Sequence, residues 1–276
     1  MHKTRWVVDN YTLQKEYGDR LKQAFKKFNI SYKICTYVPF TPVDKLDYSN
    51  WGIEAPTILY GSYEFVKKCP KLFMPGAYGL TPQAACNIYM SYIPLEWFLN
   101  RNFLMSTVEN FYKNPQRFGD IFSCSDLFIR PNSGNKLFAG FVSSIKNVET
   151  EIHALRSTNS ILPEDLILIN EVQNIIGEYR FIIGNRKVIS GSQYKYKNVL
   201  DIRTDFPVEA ERLAKKVADY PWQMDTCYTC DIAITNSGPF IIELNSFACA
   251  GFYACNIDDI VLEISEIANL DFSGGL

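Results

Sequence analysis

The chain has 276 residues, of which 47% are hydrophobic, and a formal net charge of −2. This length is sufficient for a large core in one compact unit of two or three subdomains. The nearly neutral charge, without a long basic run, argues against a general nucleic-acid binder. No apolar stretch reaches the roughly 18 residues that span a membrane, and the first residues lack the apolar segment of a signal peptide. We therefore expect neither a nucleic-acid partner nor a membrane.

The cysteines and histidines narrow the chemistry further. The eight cysteines are scattered without the spacing of a disulfide framework, which is typical of a reduced, cytoplasmic protein. The chain contains only two histidines, His2 and His153. Mechanisms that rely on a histidine base or on a histidine-rich metal site are therefore disfavoured.

The first part of the chain, residues 1–95, reads as an α/β subdomain because short strands alternate with helical patterns, which predicts a parallel sheet. A helix is expected from a possible N-cap at Thr12, and a second one after Gly61-Ser62, a pair that serves either as a turn and cap or as an anion site. Thr81-Pro82 begins another helix. The predicted strands are residues 5–9, 31–38 and 56–60, and the predicted helices are residues 12–28 and 61–68.

The rest of the chain predicts two α+β subdomains, at residues 96–174 and 175–276. In the first, Asn114-Pro115 interrupts a helical stretch. In the second, Gly184-Asn185 is a hairpin turn between alternating runs. The predicted strands are residues 126–130, 137–142, 165–171, 178–183, 186–196, 224–234 and 240–245, and the predicted helices are residues 149–156, 208–218 and 257–267.

The hairpin at residues 231–246 concentrates polar chemistry. Asp231 and Glu243 lie at similar distances from the turn at residues 236–239, so they can face each other across the strand pair. Glu243 and Asn245 are two residues apart on one strand and share a face. Two carboxylates and one amide oxygen suit Mg²⁺, which prefers oxygen ligands. The alternative is a solvated strand face with two unrelated acids.

Taken in order, the charged landmarks resemble those of the ATP-grasp superfamily, which includes D-alanine–D-alanine ligase and other carboxylate–amine ligases. Ile129-Arg130-Pro131 is similar to the family's strand-end lysine-proline, with arginine substituted as in a clade common in phages and bacteria. Residues 132–140, which include Lys136, resemble the phosphate-covering flexible loop. The remaining similarities are the hinge Glu171-Val172-Gln173-Asn174, the carboxylate Glu178, and the metal motif Glu243-Leu244-Asn245 with Asp231 upstream.

This resemblance implies a fold and a set of roles. The fold is α/β (α+β), an ATP-grasp fold in which an N-terminal α/β subdomain precedes two α+β subdomains that hold ATP between them. Arg130 and Lys136 would contact the phosphates, and Glu178 would bind the ribose. The hinge residues Glu171, Val172, Gln173 and Asn174 would hold adenine, and Asp231, Glu243 and Asn245 would hold Mg²⁺.

One position departs from the family pattern. Two residues before the metal-binding aspartate, where the family often has an arginine that supports the tetrahedral intermediate, this chain has Thr229. Arg180 and Arg203 are the alternatives for that role, and Arg180 is our candidate catalytic residue. Glu178 and Arg180 alternate on one strand face, so a plain salt bridge between them is the other interpretation.

The implied function is an ATP- and Mg²⁺-dependent ligase that joins a carboxylate to an amine through an acyl-phosphate. A nucleotide-binding protein without catalysis and a small-molecule kinase are the alternatives. Such phosphoryl chemistry depends mainly on positioning and electrostatics, so the scarcity of histidine is no objection. We expect small-molecule or peptide substrates, a monomer or homodimer, and a cytoplasmic location, in the host cytoplasm if the protein is phage-encoded.

Overall fold

The structure is a computed structural model that describes residues 4–15, 17–38, 51, 53–69, 74–135, 137–158 and 161–276. Most of the predicted loop at residues 39–52 lies outside these residues, and so does Lys136. The chain divides into two compact units. Met1–Thr81 and Ile175–Leu276 form what we call the discontinuous unit, and Pro82–Asn174 form the middle unit. The division into 1–95, 96–174 and 175–276 stays a prediction.

A parallel sheet opens the discontinuous unit, as the alternation of strands and helices predicted. It contains β1 (Arg5–Asp9), β2 (Ser31–Cys35) and β3 (Thr57–Tyr60) in the order β2-β1-β3. The strands are apolar because helices cover the sheet. Trp6 of β1 is fully buried, and its indole nitrogen donates to Ser265 Oγ at 2.9 Å.

The single helix predicted at residues 12–28 is wrong. The chain instead forms α1 (Asn10–Leu13) and α2 (Gly18–Lys27), and the first N-cap is Asp9, whose side chain accepts from the Tyr11 amide. A Cβ atom on Gly18 would lie only 2.0 Å from the Leu13 carbonyl oxygen. The backbone therefore turns back on itself at a place where only glycine fits, which interrupts the helix.

The Gly61-Ser62 pair acts as a turn and cap. Helix α3 (Tyr63–Lys67) begins after Ser62, whose hydroxyl accepts from the Phe65 amide at 3.4 Å. The Ser62 amide and hydroxyl in turn donate to the Asp9 carboxylate at 3.3 and 2.8 Å. The anion at this helix start is therefore a side chain of the protein itself.

The middle unit is a four-stranded antiparallel sheet covered by helices, with the strand order β4-β7-β5-β6. Its core contains Val108, Phe111, Leu127, Ile152 and Ile169. The elements are α4 (Cys86–Tyr92), β4 (Phe103–Thr107), α5 (Val108–Lys113), α6 (Pro115–Phe122), β5 (Asp126–Pro131), β6 (Phe141–Ser144), α7 (Val148–Thr158) and β7 (Leu166–Glu171).

The strand predicted at residues 137–142 begins later, at Phe141. Phe138 precedes it in the loop and is only 7% exposed, with its ring 5.9 Å from that of Phe141. A loop residue that packs into the core gives the same apolar signal as a strand residue, so the pattern predicted too early a start.

The discontinuous unit continues as a five-stranded antiparallel sheet in the order β10-β9-β8-β11-β12. One face carries Ile182, which shares a core with α9, Trp6 and Phe25. The other face carries Phe181, whose ring lies 5.1 Å from that of Phe206. The elements are β8 (Gly177–Gly184), β9 (Lys187–Tyr196), β10 (Val199–Arg203), α8 (Val208–Asp219), β11 (Cys227–Thr235), β12 (Gly238–Ser246) and α9 (Ile257–Phe272).

Candidate active site

Four polar residues stand side by side across the five-stranded sheet. The register pairs Arg180 with Ser192 of β9 on one side and with Asp231 of β11 on the other, and Asp231 with Glu243 of β12. Directly opposed residues of antiparallel strands point to the same face. The predicted pairing of Asp231 with Glu243 is confirmed, and the face they share also carries Ile182, toward α9.

A β-bulge brings Glu243 to this face. Next to the turn, Thr235 pairs with Gly238 and Ile234 with Pro239, a register that would place Asp231 opposite Ile242. The register shifts between Asp231 and Ile232, so Ile242 is an extra residue and Glu243 faces Asp231. A one-residue shift reverses every side chain of a strand, so without the bulge Glu243 would point to the opposite face.

Arg180 and Asp231 form a buried bidentate ion pair. The guanidinium Nε donates to Asp231 Oδ1 at 2.7 Å and Nη2 donates to Oδ2 at 2.6 Å. The two residues are 5% and 1% exposed. Arg180 therefore pairs with Asp231, and Glu178 pairs elsewhere, so the salt bridge considered between Glu178 and Arg180 is wrong.

The surroundings of Arg180 keep it charged and fixed. Its Nη1 donates to the Gly251 carbonyl at 3.1 Å, and its guanidinium carbon lies 5.0 Å from the ring centre of Tyr253. Burial disfavours the charged guanidinium, but the Asp231 carboxylate more than compensates, and the pKa of Arg180 is raised above its ordinary value. Arg180 is therefore a permanent cation in a defined position.

Glu178 lies two residues before Arg180 on β8 and on the same face. Its Oε2 accepts from the Tyr194 hydroxyl at 2.7 Å, and its Oε1 accepts from Lys195 Nζ at 2.9 Å. The carboxylate is thus held at both oxygens, yet each oxygen keeps a lone pair for a further donor.

The oxygen atoms near Glu243 fit a magnesium ion in type and charge. Asn245 is buried and donates through Nδ2 to Glu243 Oε1 at 2.9 Å, which leaves its amide oxygen as an acceptor. Opposite Asn245 stands Thr229, whose fully buried hydroxyl has no hydrogen-bond partner among the described residues. The described chain holds no cluster of three or more His, Cys, Asp or Glu residues for a metal. Two carboxylates and an amide are instead the incomplete oxygen set that Mg²⁺ completes with phosphate and water.

The two arginines considered as replacements at the Thr229 position differ in their surroundings. Arg203 lies on β10 at the outer edge of the sheet and pairs with Asp201 at 2.9 Å, where its side chain is exposed. Arg180 contacts the carboxylate of Asp231 directly. Of the two, only Arg180 stands in the polar row.

The predicted phosphate and adenine residues belong to the middle unit. Arg130 is half-buried on β5, opposite Leu168 of β7. Glu171 ends β7, and its side chain is exposed, as are those of Val172, Gln173 and Asn174 that follow it. The boundary of the compact unit falls directly after Asn174.

The loop predicted to cover phosphates is anchored where it begins. The carboxamide of Asn132 donates to Asn87 Oδ1 and accepts from the Asn87 amide, each at 2.9 Å. A Cβ atom on Gly134 would lie 2.6 Å from that of Ala84, so glycine permits the loop to pack closely there. Lys136, which follows, lies outside the described residues.

Two aromatic residues of this region were not predicted. The ring of Tyr253 stacks on that of Tyr194 at 4.9 Å and 13°, and both rings flank Arg180. The Tyr17 hydroxyl lies 3.0 Å from that of Tyr60, which donates to the Ala250 carbonyl at 2.8 Å. These residues are distant in sequence from the polar motifs, so only the fold shows that they surround Gly251.

With this geometry described, comparison with known proteins is informative. Residues 98–261, more than half of the chain, match the model of an ATP-grasp domain family, the second family of its clade. The chain belongs to this ATP-grasp family. No curated protein matches the sequence significantly.

Solved ATP-grasp structures resemble the chain over nearly its whole length. The D-cycloserine synthetase DcsG is 10% identical with a TM-score of 0.66, covering 96% of this chain and 99% of the other. The ATP-grasp ligase PsnB with a minimal precursor is 11% identical, with a TM-score of 0.56 and coverages of 97% and 99%. The ATP complex of D-alanine–D-alanine ligase from Bacillus anthracis is 11% identical, with a TM-score of 0.56 and coverages of 97% and 97%. At such identities the likeness confirms the predicted ATP-grasp fold.

Among the described helices, none is both long enough and apolar enough to cross a membrane.

Proposed function

We propose that this protein is an ATP- and Mg²⁺-dependent ligase that joins a carboxylate to an amine through an acyl-phosphate and releases ADP. Membership of the ATP-grasp family supports an ATP-dependent ligase. The observation that carries the finer proposal is the row formed by Arg180, Asp231 and Glu243, because it places a fixed cation beside two carboxylates on one face.

In this proposal Mg²⁺ is held by Asp231, Glu243 and Asn245. When bound there, it would neutralise phosphate charge and bridge phosphate oxygens. Asp231 is already neutralised by Arg180, so Glu243 supplies most of the net negative charge of the ligand set. The set therefore depends on the phosphates of the nucleotide for further negative ligands, which favours binding of the metal together with ATP.

The nucleotide residues are proposed from their match to the family motifs and from their positions in the described chain. Arg130 and Lys136 would contact the phosphates, and Glu178 would accept from the ribose hydroxyls. The exposed residues at 171–174 offer backbone groups to the adenine edge. Arginine suits the strand-end position because its planar fork makes two parallel contacts to a phosphate.

The reaction would proceed in two steps. A carboxylate oxygen of the first substrate attacks the γ-phosphorus of ATP, and ADP leaves, which produces an acyl-phosphate. The nitrogen of a neutral amine then attacks the acyl carbon, phosphate leaves with its bonding electron pair, and the nitrogen loses a proton to solvent. Water must be excluded between the two steps, because it would hydrolyse the acyl-phosphate.

Arg180 is proposed to stabilise the tetrahedral intermediate of the second step. A guanidinium has five N–H groups, and three of those of Arg180 point at Asp231 and Gly251. The remaining N–H groups of a fixed cation are suited to a developing oxyanion, since a preorganised donor needs no rearrangement during reaction.

The substrates we propose are a small-molecule or peptide carboxylate and an amine. The structural neighbours include a D-alanine–D-alanine ligase and an enzyme bound to a peptide precursor, which motivates both classes. All eight cysteines are free thiols, which supports a cytoplasmic location, in the host if the protein is phage-encoded. A monomer or homodimer is expected.

The test is product analysis after a screen of amino acids and small carboxylates for ADP release. An amide together with ADP supports the ligase. A phosphorylated metabolite with ADP would instead indicate a kinase, and nucleotide binding without turnover across the screen would indicate a binding protein.

A further inference from the structure

A second β-bulge shapes the surroundings of Glu178. The register of β8 and β9 shifts between Glu178 and Tyr179, so that Glu178 faces Lys195, Tyr179 faces Gln193, and Tyr194 is the extra residue. A bulge redirects the side chains around it. Here the two consecutive side chains of Tyr194 and Lys195 both reach the carboxylate of Glu178.

The two contacts restrain Glu178 unequally. Tyr194 donates to Oε2 at 2.7 Å from a short, stiff side chain whose ring is already packed. Lys195 donates to Oε1 at 2.9 Å from a long side chain that remains about one third exposed. A lysine stem has many rotamers, whereas a stacked tyrosine has few, so Tyr194 determines the orientation of the carboxylate.

The other side of Tyr194 leads to the metal ligands. Its ring stacks on Tyr253 with centres 4.9 Å apart and planes 13° from parallel. The guanidinium of Arg180 lies 5.0 Å from the ring centre of Tyr253 and 5.7 Å from that of Tyr194. Arg180 is itself bound to Asp231 through two hydrogen bonds. The ring of Tyr194 is therefore in contact with the group that holds Asp231.

We propose that Tyr194 is a positioning residue that orients the carboxylate of Glu178 toward the ribose hydroxyls of the nucleotide and braces Arg180 beside Asp231. This inference rests on the proposed function, which assigns Glu178 to the ribose. Loss of the Tyr194 hydroxyl leaves Glu178 with Lys195 alone, so the carboxylate no longer presents fixed acceptors. Recognition of the ribose then weakens, while the stack on Tyr253 remains.

The experiment compares ATP with 2′-deoxy-ATP and 3′-deoxy-ATP, each with Mg²⁺, by calorimetry. The proteins are the parent, Tyr194→Phe, and the matched control Tyr196→Phe. Tyr196 lies on the same strand, is 39% exposed, and belongs to none of the groups assigned a role here. The parent and the control should bind ATP roughly tenfold more tightly than at least one deoxy analogue, as expected for a lost hydrogen bond to a charged group. Tyr194→Phe should reduce this preference to about threefold or less.

A second variant separates the two roles of the residue. Tyr194→Leu removes the ring as well as the hydroxyl, so it should reduce the preference for ATP to the level of Tyr194→Phe and also lower kcat further, because Arg180 loses a packing surface. A kcat equal to that of Tyr194→Phe would overturn the bracing of Arg180.

The outcomes distinguish this inference from the function on which it rests. If the parent prefers ATP and Tyr194→Phe keeps the whole preference, Tyr194 does not position Glu178, and the proposed function stands. If the parent binds ATP and both deoxy analogues equally, Glu178 does not contact the ribose, and both the positioning role and that nucleotide assignment are withdrawn. If the parent binds none of the three, the proposed function itself fails.

Discussion

Arg180 and Asp231 are joined by two nearly equal hydrogen bonds, 2.7 and 2.6 Å long, across neighbouring strands and out of contact with bulk solvent. Directly opposed positions on β8 and β11 make this geometry possible, because their side chains leave the sheet in parallel. The pair removes a charge from the proposed metal site and supplies a cation beside it. A single contact therefore affects stability, metal binding and catalysis.

Arg180→Met should destabilise the protein by about 3–5 kcal/mol and abolish ADP release, because Asp231 is left buried without a partner. Urea denaturation and a coupled ADP assay measure the two effects. Arg203→Met is the matched control, since that exposed pair with Asp201 should contribute at most about 1 kcal/mol. Equal stability losses in the two variants would contradict a special role for the buried pair.

Glu243→Gln should leave the fold intact and remove turnover. The substitution keeps the size and the hydrogen-bonding capacity of a half-buried side chain but removes the charge on which the ligand set mainly depends. The melting temperature and ADP release should be compared with those of Glu209→Gln, which removes an exposed charge from α8. Full activity of Glu243→Gln would exclude this residue as a metal ligand.

Arg130→Met should weaken ATP binding by roughly 2–4 kcal/mol, the cost of leaving a desolvated phosphate charge without its partner. Lys136→Met should act mainly on turnover, because a residue of a closing loop contributes after the substrate is committed. Calorimetry with ATP and the ADP assay separate the two effects, and Arg117→Met on α6 is an exposed control. ATP affinity unchanged in Arg130→Met would mean that this arginine is a surface charge.

Adenine nucleotide with Mg²⁺ should raise the melting temperature, since a ligand that binds only the native state stabilises it by mass action. GTP should raise it less, because backbone groups at residues 171–174 are proposed to read the adenine edge. Thermal shifts measured at several concentrations of each nucleotide give the comparison. Equal shifts from ATP and GTP would count against this hinge.

Stability should depend on pH through Asp225. Burial, with a further contribution from the negative charge of Asp271, raises the pKa of this carboxyl from 3.8 to about 6. The folded state therefore binds the proton more tightly than the unfolded state does, so this stability is present below about pH 4 and is lost as the pH rises through 6. Asp225→Asn should stabilise the protein by about 1–2 kcal/mol at pH 7.5 and by much less near pH 4.5. Denaturant unfolding at both pH values tests this, and an equal effect at the two would refute it.

Much of the fold could be predicted from local pattern. The parallel pairing of β1 with β2 and β3 followed from strands that alternate with helices, and the hairpin of β11 and β12 followed from its turn residues. The division of the predicted helix at residues 12–28 did not follow, because it depends on a close approach of Gly18 to the Leu13 carbonyl. Helical periodicity continues across that junction, so the apolar pattern carries no sign of it.

The sequence by itself determined which chemical groups the site contains. The spacing of Glu243 and Asn245 placed them on one strand face, and the order of the motifs indicated the ATP-grasp family, which the comparison confirms. Only the tertiary structure decided which groups meet. The extra residues Ile242 and Tyr194 shift two strand registers by one position each, which turns Glu243 toward Asp231 and Tyr194 toward Glu178. A bulge arises from the packing and twist of whole strands, so the local alternation of polar and apolar residues does not specify where it falls.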